Sequence, residues 1–512
     1  MSDPSSENKN FRLPLAVIIA ALAGLIAQII TYSFDYSFAY RDAIFRMEAA
    51  RRFFDNINPG IISQIGTVWL PVPNLILMPL VCVDYLWKTG LAASIVNFPA
   101  FVLSAVFIFL SLKKMTDNLA AAWFGFIIFV LNYNILYFQT TAMTEQMYIT
   151  FLTGAFYFLI SWSNEFRSRD LWLASIFMML GAGTRYDAWP VALASTGIVF
   201  LVSIPSKKYF RNSFIFASLP ALLIVWWFVH NWYYFGDALE FSRGKFSTLY
   251  QLKYYEDAGR LLTKNNFLLS FKVYAWSVLL YSGNLYVVLS LAGLVWYFMR
   301  NKFSLTSFVP YVLWVALPTT LILLYKGQLI IEHPFSEPAG YFNSRYGLYL
   351  FPAVAVFGGY SVLLLQKIKY RKILMILLWT GVVIQQLVFL VNFPYSIPSL
   401  AEAKYSYSQP SEDLSAFLKK NYKGGKILYD NLIFAINPSA GINLRDRITF
   451  HTFDLGEKAM RTPSEYVEWV LIYTDAPNDK IHEAMEYNTD FMTNFEQKFS
   501  EYGIEVYQRK SK

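Results

Sequence analysis

Charge is scarce in this chain. Of its 512 residues only 15% are Asp, Glu, Lys or Arg, where soluble globular domains carry about a quarter. So little ionic surface cannot cover a water-soluble particle of this length. Cysteine is almost absent. The one example, Cys82, sits in an apolar run, which excludes intrachain disulfides and cysteine-based zinc sites. His230, His333, His451 and His482 are scattered and form no H-E-x-x-H pair. The net charge of +8 would suggest a nucleic-acid partner in a soluble protein. Here the basic residues fall in short turns between apolar runs, the mark of cytoplasmic loops, and nucleic acid is set aside as a partner.

What the chain has in abundance is apolar and aromatic: 56% hydrophobic residues and 19% aromatic ones, including 36 Tyr and 14 Trp. Tyr and Trp gather where an apolar body meets a wet edge, as at bilayer interfaces. A spanning helix needs about 20 mainly apolar residues, because the bilayer core offers no water to unpaired backbone groups. Eleven segments are predicted to span, at about 13–31, 91–112, 119–138, 146–162, 170–188, 189–204, 213–231, 281–299, 305–325, 346–365 and 372–393. The first is read as an uncleaved helix, since its run from Leu13 to Ile30 is longer than the core of a usual signal peptide.

Orientation follows from the basic residues. With the N-terminus in the cytoplasm, the inner turns carry Lys113 and Lys114, Arg167 and Arg169, Lys207, Lys208 and Arg211, Arg300 and Lys302, then Lys367, Lys369, Arg371 and Lys372. The chain is thus predicted to be a multi-pass cell-membrane protein whose C-terminal domain lies outside the cytoplasm. The first outer loop, about 32–90, breaks the pattern with Arg41, Arg46, Arg51 and Arg52. An amphipathic interfacial helix over about 42–55, its arginines on lipid headgroups, explains them; so does an anionic ligand bound beside it. The stretch 69–88, with Pro71, Pro73, Pro79 and Asp84, reads as a second interfacial helix rather than a span.

Hydropathy falls after about residue 394, dividing a membrane region of about 1–394 from a soluble region of about 395–512. Ser411, Glu412 and Asp413 open a capped helix running to Leu418. Ile427 to Tyr429, Val467 to Tyr473 and Ile504 to Tyr507 read as strands. This is a small α/β domain without a phosphate loop, a dinucleotide fingerprint or a nucleophile elbow.

Charges at the outer helix ends are the informative ones, because ionisable groups near a membrane are costly. On this topology Asp35, Asp42, Glu48, Glu145, Arg185, Asp187, His230, Asp237, Glu332, His333, Glu337 and Arg345 reach one face. That pattern suits a site for a substrate that is part lipid and part polar; ordinary loop charge is the plain alternative. Asp42 is placed to accept a proton from a hydroxyl or to cap the next helix. Glu145 stands where it would cap its span, near the positive helix end. Arg345 could hold a phosphate bidentately or snorkel to headgroups.

Several of these residues lie in recognisable surroundings. Tyr40-Arg41-Asp42-Ala43-Ile44 through Ala50-Arg51-Arg52-Phe53, then Asn58-Pro59-Gly60 and Gln64-Ile65-Gly66-Thr67-Val68-Trp69-Leu70-Pro71-Val72-Pro73, resemble the first-loop signature of GT-C glycosyltransferases. The likeness is to the prokaryotic branch related to protein O-mannosyltransferases and the lipid A aminoarabinose transferase. Thr144-Glu145, Arg185-Tyr186-Asp187, Phe235-Gly236-Asp237 and Ser344-Arg345-Tyr346 resemble shorter elements of the same family. The resemblance covers about residues 10–393.

It implies a transferase that takes a sugar from a polyprenyl-phosphate-linked donor and passes it, with inversion, to a hydroxyl of a protein, glycan or lipid acceptor. The first-loop aspartate falls on Asp42 as general base and the second-loop acid on Glu145. The late arginine falls on Arg345 as a ligand of the donor phosphate, with Arg185 beside it. Arg46, Tyr346, Asp187, Asp237 and His333 are further candidates for substrate contact. One departure stands out: the branch often carries a histidine four residues after the aspartate, and this chain has Arg46. Some GT-C enzymes use a divalent cation here; the sequence shows no cluster that demands one. A transporter or flippase of lipid-linked sugars would place charges inside the helices and repeat itself internally, and neither is evident. A scaffold whose soluble domain binds a partner would leave the outer acids and arginines without a role.

Overall fold

The computed structural model describes residues 12–511 except 63, 302–303, 337–338, 367, 392, 394–395, 407–408, 432, 450–451 and 477–478. Lys302, Glu337, Lys367 and His451 therefore lie outside the described residues. The chain packs as two compact units. One comprises Met1–Asp35, Gly66–Pro73 and Ser94–Ala403, the other Tyr36–Ile65, Asn74–Ala93 and Lys404–Lys512. This division differs from the expected boundary near 394: most of the first outer loop packs with the C-terminal part of the chain.

The first unit is helical. Among the described residues, five helices are long and apolar enough to cross a bilayer, or seven if each of two bent pairs counts as one span. Length and composition thus do not carry the expected count of eleven. Ser168–Ala182 and Ala188–Ser203 have 15 and 16 residues, about 22–24 Å at 1.5 Å per residue, against a hydrocarbon core of about 30 Å. The expected span 119–138 breaks into Leu119–Val130 and Tyr133–Phe138, because the Asn132 side chain accepts from the Ile135 amide and starts a new helix. The expected span 281–299 begins later, at Asn284. Gly283, at φ 89°, turns the chain by 108° from a preceding helix, Phe267–Ser282, that hydropathy alone did not single out.

The helix Phe351–Leu365 is almost wholly buried in this unit, and with the preceding 3-10 segment it forms an apolar stretch, Ser344–Leu365, whose span-length window is 89% buried. Small residues let its neighbours approach. A Cβ on Gly293 of Asn284–Asn301 would stand 1.9 Å from the Phe357 carbonyl, and one on Gly125 would stand 2.8 Å from that of Ala355. The 3-10 helix Ser344–Leu350 leads directly into this helix and carries Arg345, Tyr346 and Tyr349. Tight packing of the apolar helix therefore fixes the polar segment before it.

The second unit contains a five-stranded sheet: β1 Ile427–Leu428, β2 Arg447–Ile448, β3 Trp469–Tyr473, β4 Phe495–Glu501 and β5 Ile504–Arg509, in the order β2-β1-β3-β5-β4. β1 pairs in parallel with β2 and β3, while β5 pairs antiparallel with β3 and β4. Alternation sends successive side chains to opposite faces. Ile427, Trp469, Leu471, Ile504 and Val506 pack on one side with Leu414 and Leu418 of the helix Gln409–Asn421. Leu428, Ile448, Val470 and Ile472 pack on the other with Ile481, Met485 and Phe491. The three expected strands fall on β1, β3 and β5, and β2 and β4 are additions to them.

The helix expected to lie on headgroups is Arg41–Arg51, and it is instead built into the second unit, with Ala43, Ile44, Met47, Ala50 and Arg51 buried. Its charges are matched by protein groups. Arg51, 3% exposed, bonds Asp55 Oδ2 at 2.7 Å, Asp84 Oδ1 at 2.6 Å and the Val81 carbonyl at 2.9 Å. Glu48 pairs with Arg447 of β2. Asp55 also accepts from the amides of Leu444 and Arg445, each at 3.2 Å.

Burial pushes the Asp55 carboxyl upward, but the Arg51 hydrogen bond, the two amides and the Arg51 charge outweigh it and hold the group below the usual carboxylate range. A lowered folded pKa stabilises the fold above the unfolded value of about 3.9 and loses that stabilisation as pH falls through the lowered one. The thermal stability of the whole chain should therefore weaken below about pH 4. Asp55→Asn should lower the midpoint at pH 7 and flatten this acid limb.

Candidate active site

Glu145 is fully buried and opens the helix Glu145–Glu165. Two guanidinium groups meet on its Oε1. Arg185 Nη1 stands at 3.3 Å and Arg345 Nε at 3.2 Å, and the Tyr349 hydroxyl donates from 3.5 Å. Its Oε2 has no hydrogen-bond partner. Thr144 occupies the N-cap without a side-chain cap bond; its hydroxyl accepts from Arg185 Nη1 at 3.0 Å instead.

Arg185 lies in the turn between Ser168–Ala182 and Ala188–Ser203. Its Nε binds Asp187 Oδ2 at 3.0 Å, and its guanidinium carbon sits 4.7 Å from the Tyr349 ring centroid and 5.5 Å from that of Tyr346. Aromatic faces favour a desolvated guanidinium and limit its rotation. Arg345 Nη1 donates to Glu402 Oε1 at 2.5 Å. The other oxygen of Glu402 accepts from the Arg345 amide at 3.1 Å, Ser344 Oγ at 2.5 Å and the Tyr281 hydroxyl at 2.8 Å.

The result is a chain of charges, Asp187–Arg185–Glu145–Arg345–Glu402, with side-chain exposures between 0 and 13%. A buried pair gains little net stability, because desolvation offsets the Coulomb attraction, but it is costly to break. Such a chain fixes geometry. Two arginines with planar forks converging on one buried carboxylate at a helix N-terminus are the donor types that phosphate recognition uses.

Four of the residues expected in a site, Glu145, Arg185, Asp187 and Arg345, come together here, and Tyr346 stands with them through its ring contact with Arg185. Two others are held elsewhere in the same unit. Asp237 is bound by Arg243 at 2.6 and 2.8 Å and by the Leu239 amide at 2.9 Å. His333 is buried in the loop before Ser344; its Nδ1 accepts from the Phe335 amide at 3.0 Å, and burial holds its pKa below the ordinary value, so it is neutral near pH 7.

Asp42 and Arg46 belong to the second unit, half-buried on the helix Arg41–Arg51. Tyr40, not Asp42, takes the N-cap position of that helix. Asp42 sits in the first turn, where it faces the positive end of the helix dipole. The cap reading of Asp42 is thus corrected.

Sequence reasoning missed Glu402, which it assigned to the soluble region, and the tyrosines Tyr281 and Tyr349. An acid inside the otherwise small and apolar Leu400-Ala401-Glu402-Ala403 was the available signal. A divalent cation fits this cluster poorly. Each carboxylate of the chain is already held by a guanidinium, and among the described residues no three His, Cys, Asp or Glu side chains gather as ligands.

No family model matches the sequence, and no curated protein matches it. The fold is similar to that of solved structures. ArnT from Cupriavidus metallidurans, solved bound to undecaprenyl phosphate, aligns with a TM-score of 0.54 at 10% identity, over 96% of this chain and 97% of that one. The oligosaccharyltransferase of Archaeoglobus fulgidus, tethered to an acceptor peptide containing the NVT sequon, aligns at 0.52 and 10% identity, over 99% of this chain and 75% of that one. At that identity the likeness is one of fold, and it is the GT-C fold that the first-loop signature resembles.

Removing Glu402 takes one of two carboxylates from Arg345. Glu402→Ala should destabilise the protein by about 2–3 kcal/mol, with Glu402→Gln losing less because it keeps acceptors for Ser344 and Tyr281. Unfolding midpoints of the purified variants in detergent check both values.

Proposed function

We propose that the chain is an integral membrane glycosyltransferase. It takes a sugar from a polyprenyl-phosphate-linked donor and passes it to an acceptor hydroxyl on the outer face of the membrane, with inversion. The observation that carries this reading is the convergence of Arg185 and Arg345 on the buried Glu145. A polyprenyl-phosphate donor asks for such a place: water-poor, beside apolar helices, with fixed positive charge for one phosphate.

The fold supports the same reading. Of the two neighbours, one was solved with undecaprenyl phosphate and the other with an acceptor peptide. A lipid-linked phosphate donor is therefore the favoured substrate class, and a peptide hydroxyl is one acceptor among the protein, glycan and lipid candidates. The multi-pass topology with a cytoplasmic N-terminus and an extracytoplasmic C-terminal part belongs to the same proposal.

The chemistry needs little more than electrostatics and a base. The bond between the anomeric carbon and the phosphate oxygen breaks, and negative charge grows on the leaving phosphate. Arg185 and Arg345 stabilise that charge, and a guanidinium pair prepared in advance costs no reorganisation at the moment of reaction. The acceptor oxygen attacks from the opposite face and gives its proton to Asp42, the base that the first-loop resemblance assigns. Arg46, Asp237 and His333 are kept as candidates for contact with other parts of the substrates.

Asp42→Asn keeps shape and removes the base. In the purified full chain, reconstituted in nanodiscs with a polyprenyl-phosphate sugar and an acceptor, it should lower kcat by about 10²–10⁴-fold. Donor binding should change little. Near-normal turnover by Asp42→Asn would end the assignment.

A further inference from the structure

The charge count of the buried cluster is uneven. Glu145, Asp187 and Glu402 supply three negative charges, and Arg185 and Arg345 supply two positive ones. A phosphate entering between the guanidiniums would face an excess of negative charge in a volume that water scarcely reaches. Like charges at close range in a poorly polar medium are relieved by taking up a proton.

The three carboxylates differ in their capacity to take it. Glu402 has both oxygens engaged, by the Arg345 side chain and amide, Ser344 and Tyr281. Asp187 is the most exposed of the three, at 13%, and water can screen it. Glu145 is fully buried, and its Oε2 has no partner. An unpaired buried carboxylate oxygen is an expensive feature to keep. It is also the natural seat of a proton.

Resting on the reading of this cluster as a phosphate site, we infer that binding of the donor phosphate is coupled to uptake of one proton by Glu145. The proton comes from solvent and bonds to Oε2. Arg185 and Arg345 turn their charge from Glu145 to the phosphate, and the neutral Glu145 acid donates its new O–H to a phosphate oxygen. When the phosphate leaves, the proton is released and the two guanidiniums return to the carboxylate. Glu145 thus holds the arginines in place while the site is empty and becomes a hydrogen-bond donor when it fills.

The groups facing Glu145 are consistent with this exchange. Arg185 and Asp187 come from the turn before Ala188–Ser203, and Arg345, Tyr346 and Tyr349 from the 3-10 helix Ser344–Leu350. Tyr148, one turn along its own helix, packs edge-on against Tyr349 with ring centroids 5.4 Å apart. Glu402 on Pro398–Ser406 reaches Glu145 through Arg345, and Tyr281 on Phe267–Ser282 is bound to Glu402. The tyrosines stay neutral through the physiological range, so the proton count changes only at the carboxylates.

The test is calorimetric titration of the full chain in nanodiscs with the methyl ester of undecaprenyl phosphate, a diester that holds one negative charge throughout. Binding is measured from pH 5.5 to 8.5 in two buffers of different ionisation enthalpy, which gives the protons taken up per ligand. The wild type should take up about one proton per ligand within this range, and its affinity should fall about tenfold per pH unit where it does. Glu145→Gln, a mimic of the neutral acid, should bind with no uptake and hold at high pH the affinity of the wild type at low pH. Glu402→Gln should keep the uptake. Binding without proton uptake by the wild type, uptake that persists in Glu145→Gln, or uptake lost in Glu402→Gln overturns the inference and leaves the phosphate site standing. No binding at any pH overturns both.

Discussion

One buried carboxylate shared by two guanidiniums organises the membrane unit. Glu145 comes from the start of one helix, Arg185 from a turn between two others, and Arg345 from the 3-10 segment that leads into the central helix. Removing such charges from water costs several kcal/mol per ion, and their attraction only about returns it. The cluster therefore contributes less to stability than to uniqueness: each partner must arrive in one orientation for any of the charges to be tolerated. Tyr346, Tyr349, Ser344 and Tyr281 complete the arrangement by covering the faces and filling the acceptors. Close packing at Gly125, Gly293 and Gly359 holds Phe351–Leu365 in place, and the polar site inherits its precision from that apolar contact.

The second unit follows the same logic in a wetter setting. The helix that carries Asp42 is joined by Glu48 to Arg447 and by Arg41 to the Ile433 carbonyl at 3.1 Å. Arg51 and Asp55 continue the network to Asp84 and Arg445. The first-loop helix thus belongs to the same compact unit as the C-terminal sheet. The segment with the most specific sequence signature folds with residues nearly 400 positions away, Arg447 and Glu48 being separated by 399.

How much was legible in the sequence depended on the range of the interaction. Apolar runs declared the long helices at Leu91–Thr116, Tyr209–Phe235 and Arg371–Leu390, because burial in lipid is written residue by residue. Breaks were harder. The turn at Gly283 and the restart at Asn132 depend on single backbone positions inside apolar surroundings, where hydropathy averages them away. Strands β1, β3 and β5 were visible as alternating or continuous apolar runs. β2 has only two residues and depends on its parallel partner, while β4 is mostly exposed. Glu145, Arg185, Asp187 and Arg345 could be singled out because charge is rare near a membrane. Glu402 stands out locally only as an acid in a small, apolar stretch, and nothing there says that it will meet Arg345 from 57 residues away. The arginines of the first loop read as contacts for lipid headgroups or an anionic ligand, since the acids that Arg51 meets are spread along the chain.

The central claim is that Arg185 and Arg345 form the seat of a lipid-linked phosphate. Cryo-electron microscopy of the full chain in nanodiscs loaded with undecaprenyl phosphate tests it most directly. The account predicts phosphorus density placed so that phosphate oxygens lie within hydrogen-bonding reach of both guanidiniums, about 2.7–3.2 Å from their nitrogens. Density for the lipid phosphate elsewhere, with both arginines still on Glu145, would contradict it.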